Sequence, residues 1–325
     1  MFKVFKNFTK KDVFLIIVCI SFIVFQVFLD LKLPDYMSEI TRLIQTEGSS
    51  MNEILVQGGF MLACAFGSLA TAIFVGFLAS RLSANFSKVL RKKIFVKVEN
   101  FSMAEVKGFS TSSLITRTTN DVTQLEMLIA MGLQMLCKAP IMAVWAVLKI
   151  VNKSLEWSLF TAVLVVVLLL TVGMLMIVVF PRFELVQKLI DQVNGVTREN
   201  LTGIRVIRAF NAEKFQMNRF EDVNNTLTNT QLFNQRCFSI LSPVMNLVMQ
   251  SLTLGIYFIG AYLIVDAGMV GKINLFSDMI VFSSYGMQVI MSFLMLAMIF
   301  MMWPRAKVSA KRINEVLETE ESIKD

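Results

Sequence analysis

The stretch WSLFTAVLVVVLLLTVGMLMIVVF, Trp157–Phe180, decides the fold class: 24 residues run without one charged side chain. As a helix rising about 1.5 Å per residue it is about 36 Å long, enough to cross a hydrocarbon core of about 30 Å. Five further runs are apolar over a similar length, Val13–Leu31, Ile54–Ala79, Met127–Val151, Phe238–Val265 and Met279–Trp303, with Asp30, Lys138 and Lys149 the charged residues among them. All are continuously apolar rather than alternating, which excludes lipid-facing barrel strands. With 55% hydrophobic residues, 28 Phe, 22 Met and only 17% charged residues, the 325-residue chain lies outside the range of soluble domains. The expectation is an all-α, polytopic membrane protein with six transmembrane helices.

Outward from these runs, the basic residues are placed unevenly. Lys3, Lys6, Lys10 and Lys11 precede the first run, Arg81–Arg117 holds eight Lys and Arg, Arg182–Arg236 eight and Arg305–Lys324 five, together 25 of 31. The alternate links hold few: Lys32 and Arg42, then Lys149 and Lys153, then Lys272. The positive-inside rule therefore predicts a multi-pass protein of the cell membrane with both termini and the two long loops cytoplasmic. The net charge of +7 is accounted for by anionic membrane lipids and calls for no nucleic acid. The organisation expected is a cytoplasmic N-terminal segment, 1–12, a six-helix domain, 13–308, and a terminal linker segment, 309–325, with a basic amphipathic stretch over Arg305–Leu317.

The long loops themselves read as helix. Glu53–Lys107 contains no proline, and no glycine follows Gly76 until Gly108; as one 55-residue helix it would be about 80 Å long and project far beyond the bilayer. In Arg182–Arg236 the residues Phe183, Val186, Leu189, Ile190 and Val193 fall at helical spacing. Two such helices with polar outer faces would pack as a hairpin. The opposite links look short: Asn152-Lys153-Ser154 reads as a tight turn, and Asp266–Asp278 as a small polar loop with Gly268 and Gly271. Helices reaching into water gain little from packing, so a partner is expected at their tips.

Three motifs now carry a resemblance. RENLTGIRVIRAFNAEKFQMNRF, Arg198–Phe220, resembles the second cytoplasmic loop of ABC exporters, especially the bacterial multidrug type built as a heterodimer of two similar chains. FSTSSLITRTTNDVTQLE, Phe109–Glu126, resembles the first coupling region, and SAKRINEVLETE, Ser309–Glu320, the linker before the nucleotide-binding domain. KAP, Lys138–Pro140, stands where these exporters usually carry arginine, alanine and proline. The resemblance implies coupling of ATPase domains to the spanning helices by Ser112, Ser113, Leu114, Ile115, Arg117 and Asp121 in the first loop. In the second loop it implies the same role for Arg208, Ala209, Phe210, Asn211 and Glu213. Ser112 departs from the family's frequent glycine, and Thr118 from its leucine. A second similar half-transporter chain is the implied partner, with ATP and Mg on nucleotide-binding domains and no cofactor in this chain. The implied activity is outward movement of hydrophobic or amphipathic small molecules by alternating access; a lipid or peptide exporter, or a non-transporting scaffold or sensor, shares the fold.

No GxxxxGK[ST] occurs; the only Gly-Lys pair, Gly271-Lys272, is followed by Ile273. The expectation is a piece of a fused permease-ATPase rather than a separate permease. Zero histidine excludes HExxH zinc sites and Ser-His hydrolysis. Asp266 and Asp278 fall at span edges, so no intramembrane carboxylate pair, no catalytic residue and no metal site is expected. Cys19, Cys64, Cys137 and Cys237 show no paired spacing and read as packing residues.

For the substrate path, Lys138 stands near the middle of the third run, where a charge costs about 2.5–3.5 kcal/mol on insertion scales. It is open to four readings: a contact for anionic substrate groups, a charge that sets the pathway's potential, a structural ion pair across the bundle, or a snorkelling lysine. Pro140 removes a backbone hydrogen bond just beyond it. Met287, Met291, Met295, Met298 and Met302 form a stripe in the last run, with Tyr285, Gln288 and Phe293 nearby. Flexible thioethers suit a polyspecific pocket, and equally suit helix packing.

Overall fold

The computed structural model describes residues 8–46, 48–151, 155–265 and 269–320. The helices are α1 (Lys10–Gln45), α2 (Met51–Glu99), α3 (Met103–Gly108), α4 (Thr111–Thr116), α5 (Val122–Val151), α6 (Leu155–Thr202), α7 (Ile204–Ala209), α8 (Glu213–Ser239), α9 (Leu241–Val265) and α10 (Met269–Glu318). A π-helical turn, Arg117–Asp121, joins α4 to α5. No strand occurs among the described residues. Six segments are long and apolar enough to cross a membrane: α1, α2, α4 through α5, α6, α8 through α9, and Gly271–Leu296 within α10. The six apolar runs thus lie on six membrane-length helices.

Helix ends follow local chemistry. Thr9 caps α1 in a reciprocal box with Asp12, and Ser50 caps α2 by accepting from the Glu53 N–H. Several expected boundaries are corrected by the same rules. The expected single helix over Glu53–Lys107 stops at Glu99, because Ser102 and Glu105 form a capping box that opens α3. Arg182–Arg236 is interrupted at Gly203 and again at Phe210–Ala212. Lys32 and Arg42, expected in a link, belong to α1, which passes through Pro34 to Gln45. Lys149 is in the last turn of α5, and Met269–Asp278 is helix rather than polar loop. Pro140 is carried inside α5. Asn152–Ser154 and Asp266–Gly268 lie outside the described residues.

The described residues fall into two compact units, within Met1–Thr161 with Leu254–Asp325, and within Ala162–Thr253. In the first, Leu82, Phe86, Leu90 and Ile94 recur every fourth residue along α2. They pack with Leu114, with Val122, Leu125 and Leu128 of α5, and with Ala306, Ala310, Ile313 and Val316 of α10. This spacing gives one apolar face per helix, and each fully buried side chain of leucine size contributes about 1.5–3 kcal/mol. In the second unit α6 and α8 run antiparallel: Arg182 lies 3.5 Å over the Phe233 ring, Phe183 meets Phe238 at 6.0 Å, and Glu199 pairs with Arg219 at 3.0 Å. Many apolar side chains of the spans, such as Val166, Ile177 and Phe258, remain exposed. That is the surface a helix presents to lipid once its backbone is satisfied internally.

Leu90 is wholly buried in the first unit's core, whereas Val308 is 60% exposed. Leu90→Ala is expected to destabilise the protein by about 2–5 kcal/mol in denaturant titrations in lipid micelles, and Val308→Ala by less than about 0.5 kcal/mol.

Candidate functional site: a cavity between spans and two loop tips

Helical periodicity places Lys138 and Met142, one turn apart on α5, opposite Met287, Gln288, Met291, Ser292 and Met295 on α10, around a cavity of about 130 Å³. All five residues expected on a substrate path, Lys138, Met287, Gln288, Met291 and Met295, therefore share one cavity. Met142 and Ser292 complete it; each sits four residues beyond a residue already singled out, a signal the sequence carried. Met298 is exposed, and Met302 packs against the core described above. The Ser292 hydroxyl donates to the Gln288 carbonyl at 2.7 Å, while Gln288 Oε1 is buried with no hydrogen-bond partner.

Lys138 is half-buried, and its Nζ lies 3.0 Å from Asp30 Oδ2 of α1. The second Asp30 oxygen accepts a hydrogen bond from Ser68 Oγ of α2. Of the four readings open to Lys138, the structure shows the ion pair. Sequence reasoning missed Asp30, although a lone carboxylate at the penultimate position of the first apolar run was the available signal.

A second charge cluster lies about 7.5 Å along α1. Asp35 pairs with Lys149 Nζ at 2.7 Å, and the Tyr285 hydroxyl of α10 lies 2.5 Å from Asp35 Oδ1 and 2.9 Å from the Leu31 carbonyl. Tyr285 is fully buried. Its two bonds grip α1 on either side of Pro34, which the helix carries inside. Ser38 and Ser277 add a contact between the same two helices, their hydroxyls 2.6 Å apart.

At the first loop tip, Ser110 caps α4 by accepting from the Ser113 N–H. Ser112 and Ile115 are exposed, while Leu114, Arg117 and Asp121 turn inward. Arg117 donates to Ser113 Oγ at 3.2 Å and to the Arg312 carbonyl, pairs with Glu315 at 3.0 Å, and covers the Phe109 ring at 4.9 Å. Asp121 accepts from Ser309 Oγ at 2.9 Å, and its other oxygen faces Arg312 Nη1 at 3.3 Å. An ionic network, buried at Arg117 and Asp121 and open to solvent at Arg312 and Glu315, thus ties the first loop to the end of α10. Ser309, Arg312 and Glu315 were quoted within a linker motif, and their partners depend on long-range packing.

The second tip is built differently. The α7 helix ends in a Schellman motif: the Ala212 N–H donates to the Ile207 carbonyl at 2.9 Å and the Asn211 N–H to that of Arg208 at 3.4 Å. Asn211 takes φ 50, the left-handed region that such a cap requires. Arg208, Ala209 and Phe210 are exposed, Phe210 at 80%, and Glu213 stands in the first turn of α8.

Six membrane-length helices, two structured loop tips and an ion pair between spans define a polytopic helical membrane protein. Its sequence matches the family model for the ABC transporter transmembrane region over residues 15–293, and the chain belongs to that family. It is thus a multi-pass membrane permease part of an ABC transporter. It is 34% identical over 265 residues to an uncharacterized ABC transporter ATP-binding protein of Mycobacterium bovis, covering 80% of this chain and 43% of that one. An uncharacterized ABC transporter ATP-binding protein of Bacillus subtilis is 31% identical over 270 residues, 83% of this chain and 46% of that one. A multidrug resistance ABC transporter ATP-binding and permease protein of Lactococcus lactis is 24% identical over 278 residues, 82% and 45% of the two chains. The chain spans less than half the length of these relatives.

Asp121→Ala is expected to destabilise the protein by about 1–3 kcal/mol, since the Ser309 hydroxyl loses its acceptor and Arg312 its counter-charge; Asp121→Asn, which still accepts from Ser309, should lose less in the same denaturation assay. At the second tip, Asn211→Gly should leave the melting temperature within a degree or two, whereas Asn211→Val, β-branched at positive φ, is expected to cost about 1–2 kcal/mol.

Proposed function

We propose that this chain is the membrane-spanning permease part of an ATP-driven ABC exporter. Hydrophobic or amphipathic small molecules are moved outward by alternating access, with both termini and the loop tips cytoplasmic. ATP and Mg belong to nucleotide-binding domains rather than to residues of this chain. A second, similar half-transporter chain completes the translocation path.

The observation that carries this reading is Phe210. A phenylalanine exposed at 80% on the rim of a Schellman-capped turn is apolar area held ready in a fixed place. Such a rigid aromatic suits a pocket on a partner, where aromatic anchors supply much of the binding energy. Arg208 and Glu213 flank it and orient the docking by charge. At the first tip, Ser112 and Ile115 offer the contact surface, while Arg117 and Asp121 hold that tip against the end of α10. Movement of a docked ATPase domain would then pass through α7 into α6 and α8, and through α4 into α5 and α10.

The experiment is ATPase activity of the full gene product with its partner chain, across a panel of hydrophobic cations and lipids, for wild type and Phe210→Ala. Stimulation by particular compounds that falls at least about tenfold in the variant, a loss expected for a hot-spot residue, supports a coupled exporter. Equal behaviour of the two proteins, with no stimulation by any compound, overturns it in favour of a non-transporting scaffold of the same fold.

A further inference from the structure

The cavity beside Lys138 has a cation on its wall and yet presents almost no net charge to a ligand. Lys138 lines the cavity; Asp30, 3.0 Å from its Nζ, does not. Ser68 holds Asp30 from the far side, by a hydrogen bond to the oxygen that Lys138 leaves free. We infer that Asp30 sets the charge selectivity of this cavity: by pairing Lys138 it makes the wall electrically neutral. The ligand group it takes is then an uncharged, flat apolar one carrying a single hydrogen-bonding function, in preference to carboxylates and phosphates. The inference rests on the proposed reading of the cavity as part of the substrate path.

The physical argument runs through charge, size and hydrogen bonding. An anionic group entering here finds the cation in the cavity's lining, Lys138, already engaged by Asp30, so either the ligand or Asp30 is left without a counter-charge. A cavity of about 130 Å³ is close to the roughly 150 Å³ that accommodates one benzene ring in an apolar protein interior, so it takes a ring and not a whole drug-sized molecule. The thioethers of Met287, Met291 and Met295 can conform to such a ring. The Ser292 hydroxyl is committed to the backbone, whereas Gln288 Oε1 is buried without a partner. An amide N–H or hydroxyl on the ligand would satisfy it. Asp30 acts through Lys138 and is a positioning residue.

The test uses the full gene product, purified with its partner chain in lipid nanodiscs, and two probes of one shape, 1-naphthamide and 1-naphthoate, in equilibrium binding. Wild type is expected to prefer the amide by at least about tenfold, the scale of leaving a buried charge uncompensated. Met291→Trp, which fills the cavity, should abolish binding of both. Asp30→Asn frees Lys138 and should raise naphthoate affinity about tenfold while leaving naphthamide within about twofold; Asp30→Glu should restore the wild-type ratio. A merely structural Asp30 would weaken both probes together and leave their ratio alone. An unchanged ratio in Asp30→Asn, with the amide still bound, overturns the inference and leaves the cavity standing as a binding site. If wild type binds neither probe in a manner that Met291→Trp abolishes, the inference and the substrate-path reading of this cavity both fall. Should Asp30→Asn not yield monodisperse protein, Lys138→Gln reads the same balance with the sign reversed. The freed Asp30 should then favour 1-naphthylmethylammonium over the amide, and the absence of that gain overturns the inference.

Discussion

Inside a bilayer no water satisfies a backbone group or solvates a charge, and this constraint orders the rest of the structure. It makes every span a helix, and it obliges each charged side chain within a span to find a partner there. Asp30 with Lys138, and Asp35 with Lys149 and Tyr285, are the two solutions on α1. Both reach α5, one reaches α2 through Ser68 and the other reaches α10 through Tyr285. Apolar helix faces slide past one another at little cost in a medium as oily as themselves, whereas a charge pair has one position. The charges therefore fix how these helices are rotated, which decides that Lys138 and Gln288 border the same cavity.

At the loop ends the solvent changes and so does the means of holding helices together. Here α2, α5 and α10 have polar outer faces and one apolar face each, and Leu90, Leu125 and Ile313 pack as in a soluble helical bundle. On this core sits the network of Arg117, Asp121, Ser309, Arg312 and Glu315. Arg117 and Asp121 are bound to α10, so of the coupling residues expected in the first loop Ser112 and Ile115 are the exposed ones. The second tip reverses this arrangement: its aromatic residue points outward and backbone hydrogen bonds do the holding. One tip is anchored by side-chain charge and the other by a helix cap.

Much of this was legible because local chemistry decides it. The six spans follow from runs of apolar residues, and helix over much of Arg182–Arg236 from its spacing, whereas the folding of that stretch into α6 and α8 turns on the breaks at Gly203 and Phe210–Ala212, which the spacing does not show. Where local signals were overlooked, the errors were local too: Ser102 with Glu105 was a readable capping box, and its neglect merged α2 with α3. The first run was ended at Leu31, where apolar character stops, yet α1 continues to Gln45, and its polar residue Asp35 meets Tyr285, 250 residues away.

The sequence by itself determined the membrane class, the number of spans, the family resemblance and the residue types around the cavity, all of which depend on composition and on spacing along one helix. Only the tertiary structure decided that Lys138 meets Asp30, that Arg117 and Asp121 face the end of α10, and that the methionines at 287, 291 and 295 line a cavity while those at 298 and 302 do not. The reason is geometric: spacing shows which residues share a helix face, but the direction of that face depends on the neighbouring helices, whose contacts join residues 100 or more positions apart.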